Sequence, residues 1–137
     1  MIPVLVDANI LLDIATSDPH WGRWSENMVV RLVNTTRLVI NPIIFAEISI
    51  GYDTIEAVNA LFDVEVYDRE PLPFEAGFLA GKAYLAYKRR GGIKNSPLPD
   101  FYIGAHAAIR KYRLLTRDAA RYRTYFPSVE IITPNLN

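Results

Sequence analysis

Cysteine is absent from this chain of 137 residues, so disulfides, thiolate metal sites and a cysteine nucleophile are all excluded. Histidine is scarce: only His20 and His106 occur, too far apart in sequence to suggest a zinc site. No apolar run approaches the roughly 18–20 residues that cross a bilayer. The first residues carry no basic segment and no small-residue cleavage pattern, so no signal peptide is expected and the economical setting is cytoplasmic. Neither sign of charge is in excess, with 15 basic and 15 acidic residues, and the overall balance gives no pointer to nucleic acid. The glycine patterns GxGxxG, GxxxxGK[ST] and GxSxG are missing, which weighs against dinucleotide, P-loop and serine-hydrolase chemistry.

Apolar residues make up 50% of the chain, enough for a sizeable core, and the length suits one domain, residues 1–137. The neutral total conceals an uneven distribution. Residues 1–75 hold 12 acids and 4 bases, whereas residues 76–129 hold 11 bases and only 2 acids, Asp100 and Asp118. A basic half can attract phosphates although the whole protein is neutral. Arg89 and Arg90 precede a loop containing Lys94, and Arg117 adjoins Asp118; these four are the candidate contacts for a nucleic-acid backbone. An ordinary solvated face is the other reading of the same charges.

Short apolar runs at 2–6, 38–40, 64–67, 114–115 and 129–132 read as strands, separated by helical patterns. Helices are expected at 8–15, from a Ser17-Asp18-Pro19 start to about Asn34, after Asn41-Pro42, from an Asp53 cap to about Phe62, over 73–90, over 100–112 and after Asp118. Gly91 to Pro99 can only be a loop. Alternating strands and helices predict an α/β domain of three layers, α/β/α, with a mostly parallel central sheet.

Four acids fall where elements begin or end. Asp7 closes the first strand, Asp118 follows a late one, Asp100 opens a long helix, and Glu47 lies on the helix after Asn41-Pro42. Each aspartate could simply cap a helix, and Glu47 could lie on a polar stripe. Ligands of open α/β sheets, however, bind beyond the carboxyl ends of the strands. Carboxylates gathered there form a hard-oxygen set suited to Mg²⁺ or Mn²⁺, because a dication relieves their mutual repulsion. Asn9 is placed to orient Asp7, and Thr116 to bond a carboxylate. With a basic half alongside, a metal-dependent nuclease is the reading.

The motifs also resemble a known family. Val6-Asp7-Ala8-Asn9-Ile10-Leu11-Leu12-Asp13 is similar to the opening of PIN domains, the ribonuclease fold of VapC-type toxins. Phe45-Ala46-Glu47-Ile48 fits the second acidic motif, Pro97-Leu98-Pro99-Asp100 with the helix after it the third, and Leu114-Leu115-Thr116-Arg117-Asp118 with Tyr122–Pro127 the fourth. The likeness spans almost the whole chain; a departure is Ala8, where threonine or serine is frequent. It implies Asp7, Glu47, Asp100 and Asp118 as the metal-binding catalytic quartet, supported by Asn9 and Thr116. It also implies RNA hydrolysis by a metal-activated water, leaving a 5′-phosphate and a 3′-hydroxyl, and a toxin held by an antitoxin and paired as a homodimer. Trp21, Trp24 and Met28, spaced along one helical stripe, are the candidate antitoxin contacts, with core packing as the alternative.

Four rivals remain. A DNA flap-type nuclease shares the same acid logic but usually carries extra helical elements that 137 residues do not accommodate. A dehalogenase-type phosphatase would want a second aspartate where Asn9 stands, and a receiver domain would want paired acids at the first strand and a late lysine. A non-catalytic RNA- or partner-binding module has the same sequence requirements short of turnover.

Overall fold

A computed structural model describes residues 1–134. Their strands β1 (Val4–Val6), β2 (Leu38–Ile40), β3 (Tyr67–Arg69), β4 (Arg113–Leu115) and β5 (Ile131–Ile132) form one sheet in the order β3-β2-β1-β4-β5. Every pairing is parallel, with Leu5 opposite Val39 on one side and Leu114 on the other. Helices α1 (Ala8–Ala15), α2 (Gly22–Val33), α3 (Pro42–Ser49), α4 (Ile55–Asn59), α5 (Phe74–Arg89), α6 (Pro99–Arg110) and α7 (Ala120–Tyr125) flank it. The α/β expectation is met.

The core follows from the continuous apolar strands. All three residues of β1 are completely buried, as are Leu38, Val39, Leu114 and Leu115 beside them. Strands covered on both faces have no polar alternation, hence these unbroken runs. Each such side chain contributes about 1.5–3 kcal/mol relative to exposure. Helix α5 presents Ala76, Ala80 and Ala83 to the interior, and small residues at that spacing let it lie close along α6.

Several boundaries differ from expectation. The third strand begins at Tyr67, because the Val66 and Tyr67 amides both donate to the Asp63 carbonyl and fold 64–66 into a turn. Thr54, not Asp53, caps α4, accepting the Ala57 amide, and the helix ends at Asn59. Asp18 accepts the His20 and Trp21 amides, each at 2.8 Å, so it closes a turn and α2 starts only at Gly22. The last strand is confined to Ile131–Ile132. In the first three cases a local polar bond captured backbone that apolar pattern alone assigns to the longer element.

Chain direction decides where chemistry can sit. From β1 the sheet grows outward through β2 and β3, then the chain returns to the other side of β1 for β4. That reversal opens the sheet between β1 and β4 at their carboxyl ends. Asp7 leaves β1 at this point, its amide still donating to the Leu115 carbonyl at 2.9 Å.

Candidate active site

The residues at the reversal line a cleft of about 230 Å³ formed by Asp7, Ala8, Asn9, Leu12, Glu47, Ile50, Asp100 and Asp118. All four acids singled out in the sequence therefore share one cavity, although they come from four separate segments. Asp7 is buried, Glu47 and Asp100 are half-buried, and Asp118 is exposed at the rim.

Asp7 does cap α1: its Oδ1 accepts the Ala8 amide at 2.7 Å. Its other oxygen, Oδ2, accepts the hydroxyls of Thr116 and Tyr122, both at 2.9 Å. Burial pushes the Asp7 carboxyl above its ordinary value, the Thr116 and Tyr122 bonds work against that, and the charge of Asp100 adds to it. The capping role open to Asp100 and Asp118 is not what the structure shows. Asp100 lies inside the first turn of α6, whose N-cap is Leu98, and its carboxylate faces Arg121 at 3.2 Å. The N-cap position of α7 is Ala119, with no side-chain cap bond, so Asp118 is free of that duty.

Glu47 is the unsatisfied member. Its Oε1 is shielded from solvent and has no hydrogen-bond partner among the described residues. Burial first, then the charges of Asp7 and Asp100, push its carboxyl up to about 7. An acid whose folded pKa is raised binds its proton more tightly folded than unfolded, so its stabilising contribution is lost as pH rises from about 4.5 through about 7. In EDTA, melting temperature should therefore fall across that interval, and Glu47→Gln should flatten the fall. An equally steep decline in the variant, followed by calorimetry, would put the titrating group elsewhere.

Asn9 supports the cleft by a different route from the one expected. It does not touch Asp7: its amide donates to Thr116 Oγ1 at 3.2 Å, and its oxygen accepts the Arg117 amide at 3.1 Å. Asn9 thus fixes the turn after β4, and Thr116 relays that order to Asp7. Thr116 Oγ1 also accepts the Asp118 amide at 3.2 Å, tying the fourth acid to the same turn.

Arg117, expected among the RNA contacts, is engaged elsewhere. Its Nε and Nη2 donate to the buried carboxylate of Asp13 at 2.7 and 3.0 Å, and Ser25 donates to Asp13 at 2.8 Å. The guanidinium also lies 5.7 Å from the Trp21 ring centre. Arg89, Arg90 and Lys94 remain exposed, with Arg90 lying 5.5 Å from the ring centre of Tyr125. The Tyr87 hydroxyl accepts the Ile93 and Lys94 amides, which anchors the basic loop to α5.

Trp21, Trp24 and Met28 are all half-buried, and Trp24 and Met28 pack on the core. A groove of about 790 Å³ does lie between α1 and α2, but it is lined by residues such as Asp18, Arg23, Glu26 and Asn27, not by this stripe.

Two supporting arrangements escaped the sequence reading. His106 is completely buried: Asn41 Nδ2 donates to its Nδ1 at 2.9 Å, so Nε2 carries the proton given to Glu70 at 3.2 Å. Burial lowers its pKa, keeping this ring neutral. The ring locks α6 to the start of α3, the helix carrying Glu47. The second arrangement is Tyr122, which is 1% exposed with its hydroxyl among the acids. The signals for it were its place in the Tyr122–Pro127 motif and its position four residues after Asp118, beside Arg121, Arg123, Tyr125 and Phe126 of equal claim.

Among the described residues, no three acid or histidine side chains are drawn together into a ready-made ligand cage. The donor set is nonetheless all-oxygen, mutually repelling and partly unsatisfied at Glu47, which fits a hard dication that completes its shell with water.

A family model for the PIN domain matches residues 4–127. No curated protein matches the sequence. Among solved structures, VapBC2 from Rickettsia felis bound to a promoter DNA fragment is similar at 16% identity and TM-score 0.75, covering 98% of this chain and 100% of that one. VapBC-1 from nontypeable Haemophilus influenzae gives 19% and 0.72, covering 96% and 98%. A toxin–antitoxin complex from Klebsiella pneumoniae gives 20% and 0.68, covering 96% and 98%. At such identities these structures speak for the fold, and the family match rests on the sequence itself. With the sheet order, the four-acid cleft and a match over nearly its full length in agreement, the chain belongs to the PIN-domain family.

Proposed function

We infer that this protein is a Mg²⁺- or Mn²⁺-dependent endoribonuclease of one domain, and the toxin of a type II toxin–antitoxin pair. The observation that carries the reading is Glu47 Oε1, a shielded carboxylate oxygen without a partner among the described residues, on a side chain that lines one cleft with Asp7, Asp100 and Asp118. Buried charge without a counterpart is costly, and a cation is what removes the cost.

Asp7, Glu47, Asp100 and Asp118 are the residues that would hold the ion. Bound there, a divalent ion supplies positive charge that acidifies water and stabilises charge developing at phosphorus. The chain's own groups supply order: Thr116 fixes the direction of the Asp7 carboxylate, Asn9 fixes Thr116, and the Asn41–His106–Glu70 bonds hold α3 against α6. Arg89, Arg90 and Lys94, at the end of α5 and in the loop leading to Asp100, offer an exposed positive approach for an RNA backbone.

Structures named as VapBC or toxin–antitoxin complexes support an antitoxin partner. The polar α1–α2 groove, lined by Asp18, Arg23, Glu26 and Asn27, suits a partner segment, and the half-buried Trp21, Trp24 and Met28 lie outside its lining. A homodimer is supported by Phe74 and Phe78, 96% and 66% exposed on α5. Among the described residues no helix is long and apolar enough to cross a membrane. Action on RNA is in keeping with a cytoplasmic setting.

Labelled single-stranded RNA and DNA, incubated with Mg²⁺, Mn²⁺ or EDTA, test the reading. RNA should be cut internally with either ion and left whole in EDTA. RNA bound but intact under all conditions would favour a non-catalytic binding module, and phosphate release from a monoester alone would favour a phosphatase.

A further inference from the structure

Tyr122 is a large side chain buried with its polar end among acids, which is an unusual place for a phenol. Its hydroxyl donates to Asp7 Oδ2 at 2.9 Å and approaches Asp100 Oδ1 at 3.4 Å. A phenol has one proton, so the bond belongs to Asp7 and the oxygen stands between the two carboxylates. Burial first, then the charges of Asp7 and Asp100, hold this phenol well above its ordinary value, so it stays a neutral donor.

The reach of Tyr122 depends on how closely α7 approaches α6. Gly104 of α6 faces the Phe126 ring, and a Cβ at that glycine would lie 2.3 Å from it. The missing side chain lets the end of α7 seat against α6 and brings Tyr122 under the cleft floor. Its neighbour Arg121, 42% exposed at the side chain, reaches Asp100 from outside. Two consecutive residues therefore address Asp100, one from within and one from solvent.

We propose that Tyr122 is a positioning residue for the ion site, its hydroxyl setting the orientation of Asp7 and its spacing from Asp100. The proposal rests on the metal-dependent reading above. Thr116 alone leaves Asp7 Oδ2 one of its two anchors, and nothing else among the described residues bonds to both carboxylates. Groups that orient a ligand without touching the metal alter its affinity by about 10–100-fold when removed.

The test is Mn²⁺ affinity of the full chain, measured from the electron paramagnetic resonance of free Mn²⁺, for wild type, Tyr122→Phe and Arg121→Gln. Tyr122→Phe keeps the ring and its packing, and should bind Mn²⁺ about 10–100-fold more weakly. Cleavage by this variant should recover toward wild type as Mn²⁺ is raised. Arg121→Gln leaves the phenol in place and should change affinity only a few-fold, since the pair it removes is exposed. Equal affinity of Tyr122→Phe and wild type would overturn the proposal while leaving the metal reading intact. So would a Tyr122→Phe chain that no longer melts cooperatively in EDTA, because the hydroxyl would then be holding the fold and not the site. Failure of the wild type itself to bind Mn²⁺ would instead remove the metal reading beneath it.

Discussion

Asp7→Asn should abolish cleavage without weakening the fold, with a rate loss of at least about 100-fold and a melting temperature in EDTA equal to or above that of wild type. The two halves have one cause. Asp7 is 5% exposed, and burial, with the charge of Asp100 added to it, makes its carboxyl costly to ionise there. A carboxyl with a raised folded pKa contributes its stability fully below its unfolded value of about 3.8 and loses it as pH rises through the folded one. Asparagine has no such term, so any advantage of the variant should grow with pH. Its geometry is also tolerated: the amide oxygen can keep the Ala8 amide, the amide nitrogen can donate to the Tyr122 oxygen, and the Tyr122 and Thr116 protons can turn to Asp100 and to the Asp118 carbonyl. What it cannot supply is negative charge for a dication. Single-turnover cleavage and calorimetry on one preparation decide the matter. Cleavage within a few-fold of wild type would remove Asp7 from the site, and a large loss of stability would make it a structural cap before anything else.

Arg117→Gln should do the opposite, destabilising the protein with little direct effect on RNA binding. Asp13 is 3% exposed and holds two bonds from Arg117 and one from Ser25. Without the guanidinium, a buried carboxylate is left with a single hydroxyl. Removing one partner of a fully buried pair costs about 3–5 kcal/mol, and because Arg117 is partly open to water we expect about 2–4 kcal/mol. For a chain of this size that lowers the melting temperature by roughly 6–15 °C. The Trp21 ring should report the same event by a fluorescence shift, since the guanidinium lies over it. The dependence of RNA affinity on salt should keep its slope, as no phosphate contact is lost. An undisturbed melting temperature with a shallower slope would return Arg117 to the RNA-binding face.

These two residues show where sequence reasoning succeeds and where it stops. Asp7 is legible because strand β1 is an unbroken apolar run, and an acid at the end of such a run has few ordinary uses. Arg117 adjoins Asp118 in sequence and looks like part of a basic face. Its role was decided by Asp13, more than a hundred positions earlier, whose place on the buried side of α1 no local pattern distinguishes from an exposed one.

The sequence by itself determined the alternation of strands and helices, the parallel sheet, the Asn41 and Asp7 caps and the four acids. These are local or periodic properties: burial on both faces requires continuous apolar strands, and a cap needs only its own neighbours. Tertiary structure alone decided that the four acids share one cavity and that Glu47 keeps a shielded oxygen without a partner among the described residues. It also decided that Asn9 acts through Thr116, and that a tyrosine hydroxyl stands between Asp7 and Asp100. Those relations depend on the reversal of strand order beside β1 and on the close seat of α7 against Gly104. Both bring together side chains whose separation along the chain carries no periodic signal.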